Sequence, residues 1–262
     1  MPANKSTMTV TILGSGTCVP SLKRSSCSVL MEVGQSKLLF DSGPGTIRRL
    51  LEAGTTIFEI SHIFYSHFHL DHSGEFVPIL FSTKYPDGQQ RKAPLTVTAA
   101  RGFEHFHAKL KEVYGQWMEL TQGLLIIKEL DNHSRDTHQF EDFSIESAPV
   151  VHNEESIAYR VTGSDGKSVV YSGDTDFSEN LIDLAGGANL LICECATPDD
   201  LKIKGHMTPS LAGEIASRAK VGQLVLTHFY PKCDHTDIKK QCRKTYDGPL
   251  ILAEDLMRIK ID

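Results

Sequence analysis

The chain has 262 residues, with 27 Lys+Arg against 33 Asp+Glu, a formal charge of −6, 40% hydrophobic and 23% charged residues. This excludes a largely disordered chain and disfavours a polyanion binder with a broadly basic surface. At roughly 150 residues per domain the length suits one large domain or two small ones, and its core needs no disulfide or metal merely to fold. No apolar run approaches the ~18–20 residues of a membrane span. The opening MPANKSTMTVTILGSG carries no long apolar segment, and the six Cys are scattered, so a cytoplasmic protein with no membrane partner is expected. The 12 His make metal binding the first question.

In chain order, residues 8–14 read as a strand running into Gly14-Ser15-Gly16. Residues 28–33 and 37–41 form a hairpin about Gly34-Gln35-Ser36, ended by Ser42-Gly43-Pro44-Gly45. Residues 46–53 read as a helix, with Ile47, Leu50 and Leu51 on one face and Gly54 as the stop. A short strand at 62–66 enters a histidine cluster, followed by a helix over 74–85, a strand at 94–99 and a helix over 103–114. The second half places strands at 143–151, 157–162, 167–172, 190–194 and 223–227. Its helix over 209–219 starts with Thr208 as N-cap and Pro209 at the first helical position. Two halves of strands followed by helices, with no Pro/Gly/Ser-rich linker, predict an α/β fold. It is an αββα sandwich of two mixed β-sheets flanked by helices, a single domain over 1–262.

The strongest chemical signal is His67-Phe68-His69-Leu70-Asp71-His72, directly after the apolar strand residues 63–65. Such a cluster at a strand-to-helix corner has no use in packing. On an extended loop His67 and His69 alternate and can converge on one ion, while Asp71 and His72 can reach a second. Imidazole with carboxylate suits Zn, with Mn or Fe as alternatives. Three more candidates follow strands in the second half: His152, Asp174 in Ser172-Gly173-Asp174-Thr175, and His228. Each alone reads as a capping or buried polar residue. Together they stand at strand ends, where open α/β sheets gather their sites.

These residues resemble the metallo-β-lactamase superfamily: HxHxDH at 67–72, His152, SGDT at 172–175, LTHFYP at 226–231 and LFDSGPGT at 39–46. The resemblance implies an αββα sandwich with two metal ions. His67, His69 and His152 would hold one, Asp71, His72 and His228 the other, and Asp174 would bridge them. Asp41 would orient a ligand imidazole. Two metals about 3.5–4 Å apart hold a hydroxide at neutral pH and clamp a phosphoryl or acyl oxygen, so hydrolysis is the implied reaction. His69 stands where the diiron redox members resemble HxExD, which argues against an oxidoreductase.

LICECATPDD at 191–200, GHMTPSLAGEIASRAKVGQLVLTHF at 205–229 and LGSGTCVP at 13–20 resemble the ribonuclease Z-like phosphodiesterases. There a Glu orients a His near the scissile phosphate, which implies Glu194 and His206 here as catalytic residues beside Asp71. The tRNA-processing members carry a long Gly/Pro-rich arm between the third metal motif and the bridging Asp. Here His152 and Asp174 are 22 residues apart, with room for a plain hairpin only. The basic residues Lys239, Lys240, Arg243, Lys244, Arg48 and Arg49 make a narrow footprint, read as solvated helix faces. A small or cyclic phosphodiester therefore fits better than RNA, and a small anionic ester is the expected partner. The same metal motif also serves thioester or lactone hydrolases, the alternative reading. A tRNA 3′-processing endoribonuclease and a non-catalytic metal-binding protein rank lower. Dimerisation is common in the resembling family, so a homodimer is expected on that ground alone.

Other signals are discounted. His105 and His107 lie two apart on a helix and point to different sides. His133 and His138 read as loop residues in the acidic stretch 131–142. Cys193 and Cys195 read as buried filler, and Cys18, Cys27, Cys233 and Cys242 show no CxxC spacing. Trp117 and the stretch 76–81 read as core or rim. Phe68 and Phe229 flank candidate ligands and are expected to line a substrate pocket.

Overall fold

A computed structural model describes residues 8–84 and 90–261. The first sheet contains β1 (Met8–Gly14), β2 (Ser28–Val33), β3 (Ser36–Phe40), β4 (His62–Phe64), β5 (Leu95–Ala100), β6 (Leu125–Leu130) and β14 (Met257–Ile261), in the order β14-β1-β2-β3-β4-β5-β6. The second contains β7 (Asp136–Gln139), β8 (Phe143–Pro149), β9 (Ile157–Gly163), β10 (Ser168–Tyr171), β11 (Leu190–Glu194), β12 (Leu224–Thr227) and β13 (Leu250–Leu252), running from β13 back to β7 in unbroken sequence. Both are mixed. Pairing is antiparallel from β14 through β3 and from β7 through β10, and parallel from β3 through β6 and from β10 through β13. The parallel strands of each half therefore finish at one edge, and every candidate ligand stands just beyond such an end or in the loops beside it.

The layering follows from period-2 alternation. Val29, Met31, Leu38, Phe40 and Phe64 face the second sheet, where they meet Tyr159, Val161, Val169 and Tyr171. Their alternates Leu30, Leu39, Ile63 and Tyr65 face outward with Leu50 of α1 (Thr46–Glu52), Phe76 and Leu80 of α3 (Phe76–Ser82) and Phe103 of α4 (Phe103–Tyr114). Outside the second sheet lie α5 (Glu179–Leu184) and α6 (Pro209–Ala219), contributing Leu181, Leu184, Ala212 and Ile215. This is the αββα sandwich that the sequence implies. Among the described residues no helix is long and apolar enough to cross a membrane.

Several elements differ from expectation. The helix expected over 74–85 is the shorter α3, preceded by a one-turn α2 (Leu70–Ser73), and Tyr85 lies outside the described residues. The stretch 131–142 is not all loop: it contains β7, with His138 in the strand. Thr208 stands at the N-cap of α6 without a capping bond, and Asp199 Oδ1 instead accepts from Ser210 N at 3.0 Å. The short α7 (Ile238–Cys242) carries Lys239 and Lys240.

His62 opens β4 at the edge away from the candidate ligands. Its ring meets Phe140 and Phe143 edge-on at 4.9 and 5.5 Å and stacks on Phe64 at 6.0 Å. Burial, with Lys128 nearby, pushes its pKa down to about 4. The unfolded chain takes up this proton near the ordinary value of about 6.5, so stability is unaffected by His62 above that pH and declines as pH falls toward 4. We expect His62→Phe to remove up to about 2 kcal/mol of the stability lost across that window, measured by urea denaturation at pH 7 and pH 4.5. An unchanged pH slope would contradict this.

Candidate metal centre

β3 and β4 deliver Asp41 and Ser66 side by side. Asp41 is fully buried and takes a positive φ of 55°, as His228 does at 59°; such conformations persist where surrounding contacts over-determine them. Asp41 Oδ1 accepts from Ser66 N, and Oδ2 from Ser66 Oγ and His72 Nδ1, all at 2.7 Å, and from Tyr171 Oη at 2.6 Å. Gly43 allows the next turn to press on the loop, since a Cβ there would stand 2.2 Å from Asp71 O. Gly173 plays the same part before Asp174: its φ is +56°, and a Cβ would stand 2.4 Å from Ser66 Cβ.

The imidazoles are held from behind. His72 Nδ1–H donates to Asp41, His67 Nδ1 lies 3.0 Å from Ser66 Oγ, and His152 Nδ1–H donates to Gly205 O at 2.8 Å. Their Nε2 atoms converge on Asp174. Asp174 Oδ1 stands 3.1 Å from His72 Nε2 and 3.3 Å from His228 Nε2; Oδ2 stands 3.8 and 3.9 Å from those of His67 and His152. Asp71 Oδ2 lies 3.4 Å from His228 Nε2. His69 is turned the other way, with Nδ1 3.3 Å from His152 Nε2 and Nε2 3.0 Å from Asn153 Nδ2.

One donor atom from each of His67, His69, His152 and Asp174 lies within 4.8 Å of the others, and so do those of Asp71, His72 and His228. Asp174, His206 and His228 make a third such group. All seven candidate ligands are thus brought together. The donor set suits a divalent ion. His67 Nε2 is buried with no hydrogen-bond partner, and the Nε2 atoms of His72 and His228 face each other at 3.3 Å. Among the described residues, imidazoles are the ion-pair partners of Asp71 and Asp174, and no Lys or Arg pairs with either. A cation among these lone pairs would satisfy all of them.

The proton affinities of His67, His69 and His152 agree, whereas His72 would have to give up a proton before its Nε2 could meet an ion. Burial pushes His67 well below the ordinary histidine value, with His72 adding to the effect, and burial also lowers His69 and His152. All three rings are neutral at pH 7 and can offer a lone pair. Burial alone would raise Asp71 and Asp174, but His228 and His72 hold both well below the usual carboxylate range. Burial opposes charge on His72, yet Asp174 and Asp41 keep its affinity well above the ordinary value.

Glu194, at the end of β11, is buried, and its Oε1 lies 3.0 Å from His206 Nδ1 and accepts from Thr175 N at 2.8 Å. Burial, then the Asp174 carboxylate, pushes the Glu194 carboxyl well up. The pair expected from sequence is therefore in contact, with His206 Nδ1 3.8 Å from Asp174 Oδ2.

Two neighbours escaped the sequence reading. Tyr230 lies with its ring 6.1 and 6.3 Å from those of His228 and His206. Burial, then Asp71, raises its phenol, so it remains an O–H donor. Its place two residues after His228 was the available signal. Asn153 follows His152 directly and had none. Phe68 stacks on Phe106 at 5.3 Å and lines a 560 Å³ apolar cavity with Val77, Phe81 and Trp117. Phe229 is buried under the Arg24 guanidinium, 4.4 Å from the ring centre, and its N–H donates to Ser15 O.

Asp41 anchors loop, ring and strand at once, so Asp41→Ala would strand buried donors at Ser66, His72 and Tyr171. We expect it to cost about 3–5 kcal/mol, as when one partner of a buried charged network is removed, read from chemical denaturation. A loss below ~1 kcal/mol would show that the network is dispensable.

Two sheets meeting over a His/Asp cluster define a divalent-metal site on an αββα scaffold. The family model described as "Beta-lactamase superfamily domain" matches residues 36–229, and the chain belongs to that superfamily. Within it the protein is a ribonuclease Z-like metal-dependent hydrolase. It is 31% identical over 287 residues to Ribonuclease Z 1 of Schizosaccharomyces pombe, covering 95% of this chain and 34% of that protein, so it spans about a third of that relative. It is 30% identical over 305 residues to Ribonuclease Z of Methanosarcina mazei, covering 96% and 97% of the two chains. Its fold is shared with the metallo-beta-lactamase fold protein YhfI from Bacillus subtilis, at a TM-score of 0.83 and 23% identity, over 98% of this chain and 100% of that one.

Proposed function

We propose that this protein is a phosphodiesterase acting on a small or cyclic phosphodiester through two zinc ions, as one domain over 1–262 working in the cytoplasm. The observation that carries the reading is the Glu194–His206 contact at 3.0 Å beside the His/Asp cluster, which an acyl hydrolase does not need. His67, His69 and His152 would hold one ion, Asp71, His72 and His228 the other, with Asp174 between them. Bound there, divalent ions supply an activated water and neutralise charge on phosphoryl oxygens.

The chain's own groups do the rest. Glu194 occupies Nδ1 of His206, which leaves Nε2 as the nitrogen available to substrate. Protonated at Nε2, the ring can donate to a non-bridging oxygen or to the departing alkoxide. The phenol of Tyr230 is a second donor on that side. Buried walls at Asp174 and Glu194 strengthen these contacts by keeping the local dielectric low.

The relatives named ribonuclease Z suggest RNA as substrate, but two features favour a smaller ester. The segment from His152 to Asp174 holds only the β9–β10 hairpin. The alignment with the Methanosarcina mazei protein runs over 305 residues, more than the 262 of this chain, so that relative carries segments this chain lacks. Arg48, Arg49 and Lys244, half of the narrow basic footprint, are paired with Glu52, Glu52 and Asp255, and Asp199. The apolar cavity at Phe68, next to His69, favours a second reading as a thioester or lactone hydrolase. The test is turnover by zinc-loaded protein of bis-p-nitrophenyl phosphate, cyclic nucleotides, precursor tRNA, a thioester and a lactone. Phosphodiester cleavage is expected; thioester or lactone turnover with no phosphodiester cleavage would replace the first reading by the second. Light scattering of the same sample tests the expected homodimer.

A further inference from the structure

Of the five imidazoles among the seven candidate ligands, four turn Nε2 toward Asp174. His69 alone offers Nδ1, and the group behind it is a carboxamide. Asn153 Nδ2 lies 3.0 Å from His69 Nε2, His69 Nδ1 lies 3.3 Å from His152 Nε2, and His152 Nδ1 lies 2.8 Å from Gly205 O. Read in one direction, these contacts form a continuous chain: the amide N–H donates to Nε2 of His69, Nδ1–H of His69 donates to Nε2 of His152, and Nδ1–H of His152 donates to the carbonyl. In that arrangement both nitrogens that face the cluster are taken up with each other.

We propose that Asn153 is a positioning residue of the centre, whose carboxamide selects the nitrogen with which His69 meets an ion. For Nδ1 to offer its lone pair, the neutral ring must carry its proton on Nε2, and the Asn153 carboxamide is the protein group within hydrogen-bond distance of that nitrogen. Rotating the Asn153 carboxamide by 180° brings its oxygen to Nε2 and supplies one. The proton leaves Nδ1, another is taken up at Nε2, and the ring charge is unchanged. Few side chains can serve both arrangements. Asp at this position accepts only and would hold His69 permanently in the ion-binding tautomer; Leu fills the space and does neither. The backbone keeps the residue in place, since Asn153 N donates to Ser156 Oγ at 3.1 Å and its carbonyl accepts from Ser156 N at 3.1 Å. The inference rests on reading His67, His69, His152 and Asp174 as metal ligands.

The test has two arms on the full chain. In the first, zinc is titrated against a competing chelator into wild type, Asn153→Leu and Asn153→Asp, with chelator-treated melting curves as the folding control. We expect Asn153→Leu to weaken one zinc site by about 10- to 100-fold, the usual range for losing the group behind a ligating imidazole, and Asn153→Asp to retain wild-type affinity or exceed it. Wild-type affinity in the Leu variant, or equal losses in both, would overturn the role of Asn153. A wild type that takes up no zinc would take down the metal reading and this inference with it. The second arm needs no variant: ¹⁵N shifts of the His69 ring in wild type should move from Nδ1–H to Nε2–H as zinc is added. A ring that keeps its proton on Nδ1 with zinc bound would overturn the inference even if every variant failed to fold.

Discussion

Asp174→Ala should strip the centre of metal and reduce phosphodiester turnover by about 10³-fold, the upper range for losing one buried electrostatic group. Asp174 is the carboxylate that reaches both sides: Oδ1 faces His72 and His228 at 3.1 and 3.3 Å, and Oδ2 faces His67 and His152 at 3.8 and 3.9 Å. Without it, the Nε2 atoms of His67, His72, His152 and His228 lose the one carboxylate they all face. Elemental analysis after gel filtration checks the outcome, with circular dichroism to confirm the fold. Full metal occupancy in this variant would remove the bridging role.

The second large effect falls on His206. Its Nδ1 is held by Glu194, outside the set that would carry the ions, so His206→Ala should lower kcat by roughly 10²-fold while zinc content stays at the wild-type level, in keeping with the loss of one proton donor. KM should change little if the proton goes to the leaving oxygen, and rise if it goes to a non-bridging one. Activity on an ester with a good leaving group should fall much less than on an alkyl one. If zinc is lost together with activity, His206 is a ligand, as its place in the group with Asp174 and His228 would then allow.

Legibility in the sequence tracked two physical signals. Strands buried on both faces showed as short apolar runs: β2 and β3 read correctly from Leu30, Met31, Leu38 and Leu39. The polar edge strand β7, Asp-Thr-His-Gln, buries too little to leave a pattern, whereas β14, Met-Arg-Ile-Lys-Ile, alternates over only five residues and went unread. The centre was legible because four ligands are crowded into residues 67–72 and the remaining three stand at strand ends. His206 came from family resemblance, not from its own surroundings. The carboxamide behind His69 was invisible, since that contact depends on how the turn after His152 folds back across the cluster.

The pairing order has a consequence for how the protein is assembled. His67, His69, Asp71 and His72 follow β4 in one sheet, whereas His152, Asp174 and His228 belong to the other. An unfolded chain can offer an ion only the cluster at 67–72, a weak chelate, and the full coordination shell exists only once the two sheets have closed on each other. Metal capture would thus complete the site after the halves have closed and latch them together. The latch tightens with free ion concentration by mass action, adding about 2.7 kcal/mol at a hundredfold excess over Kd.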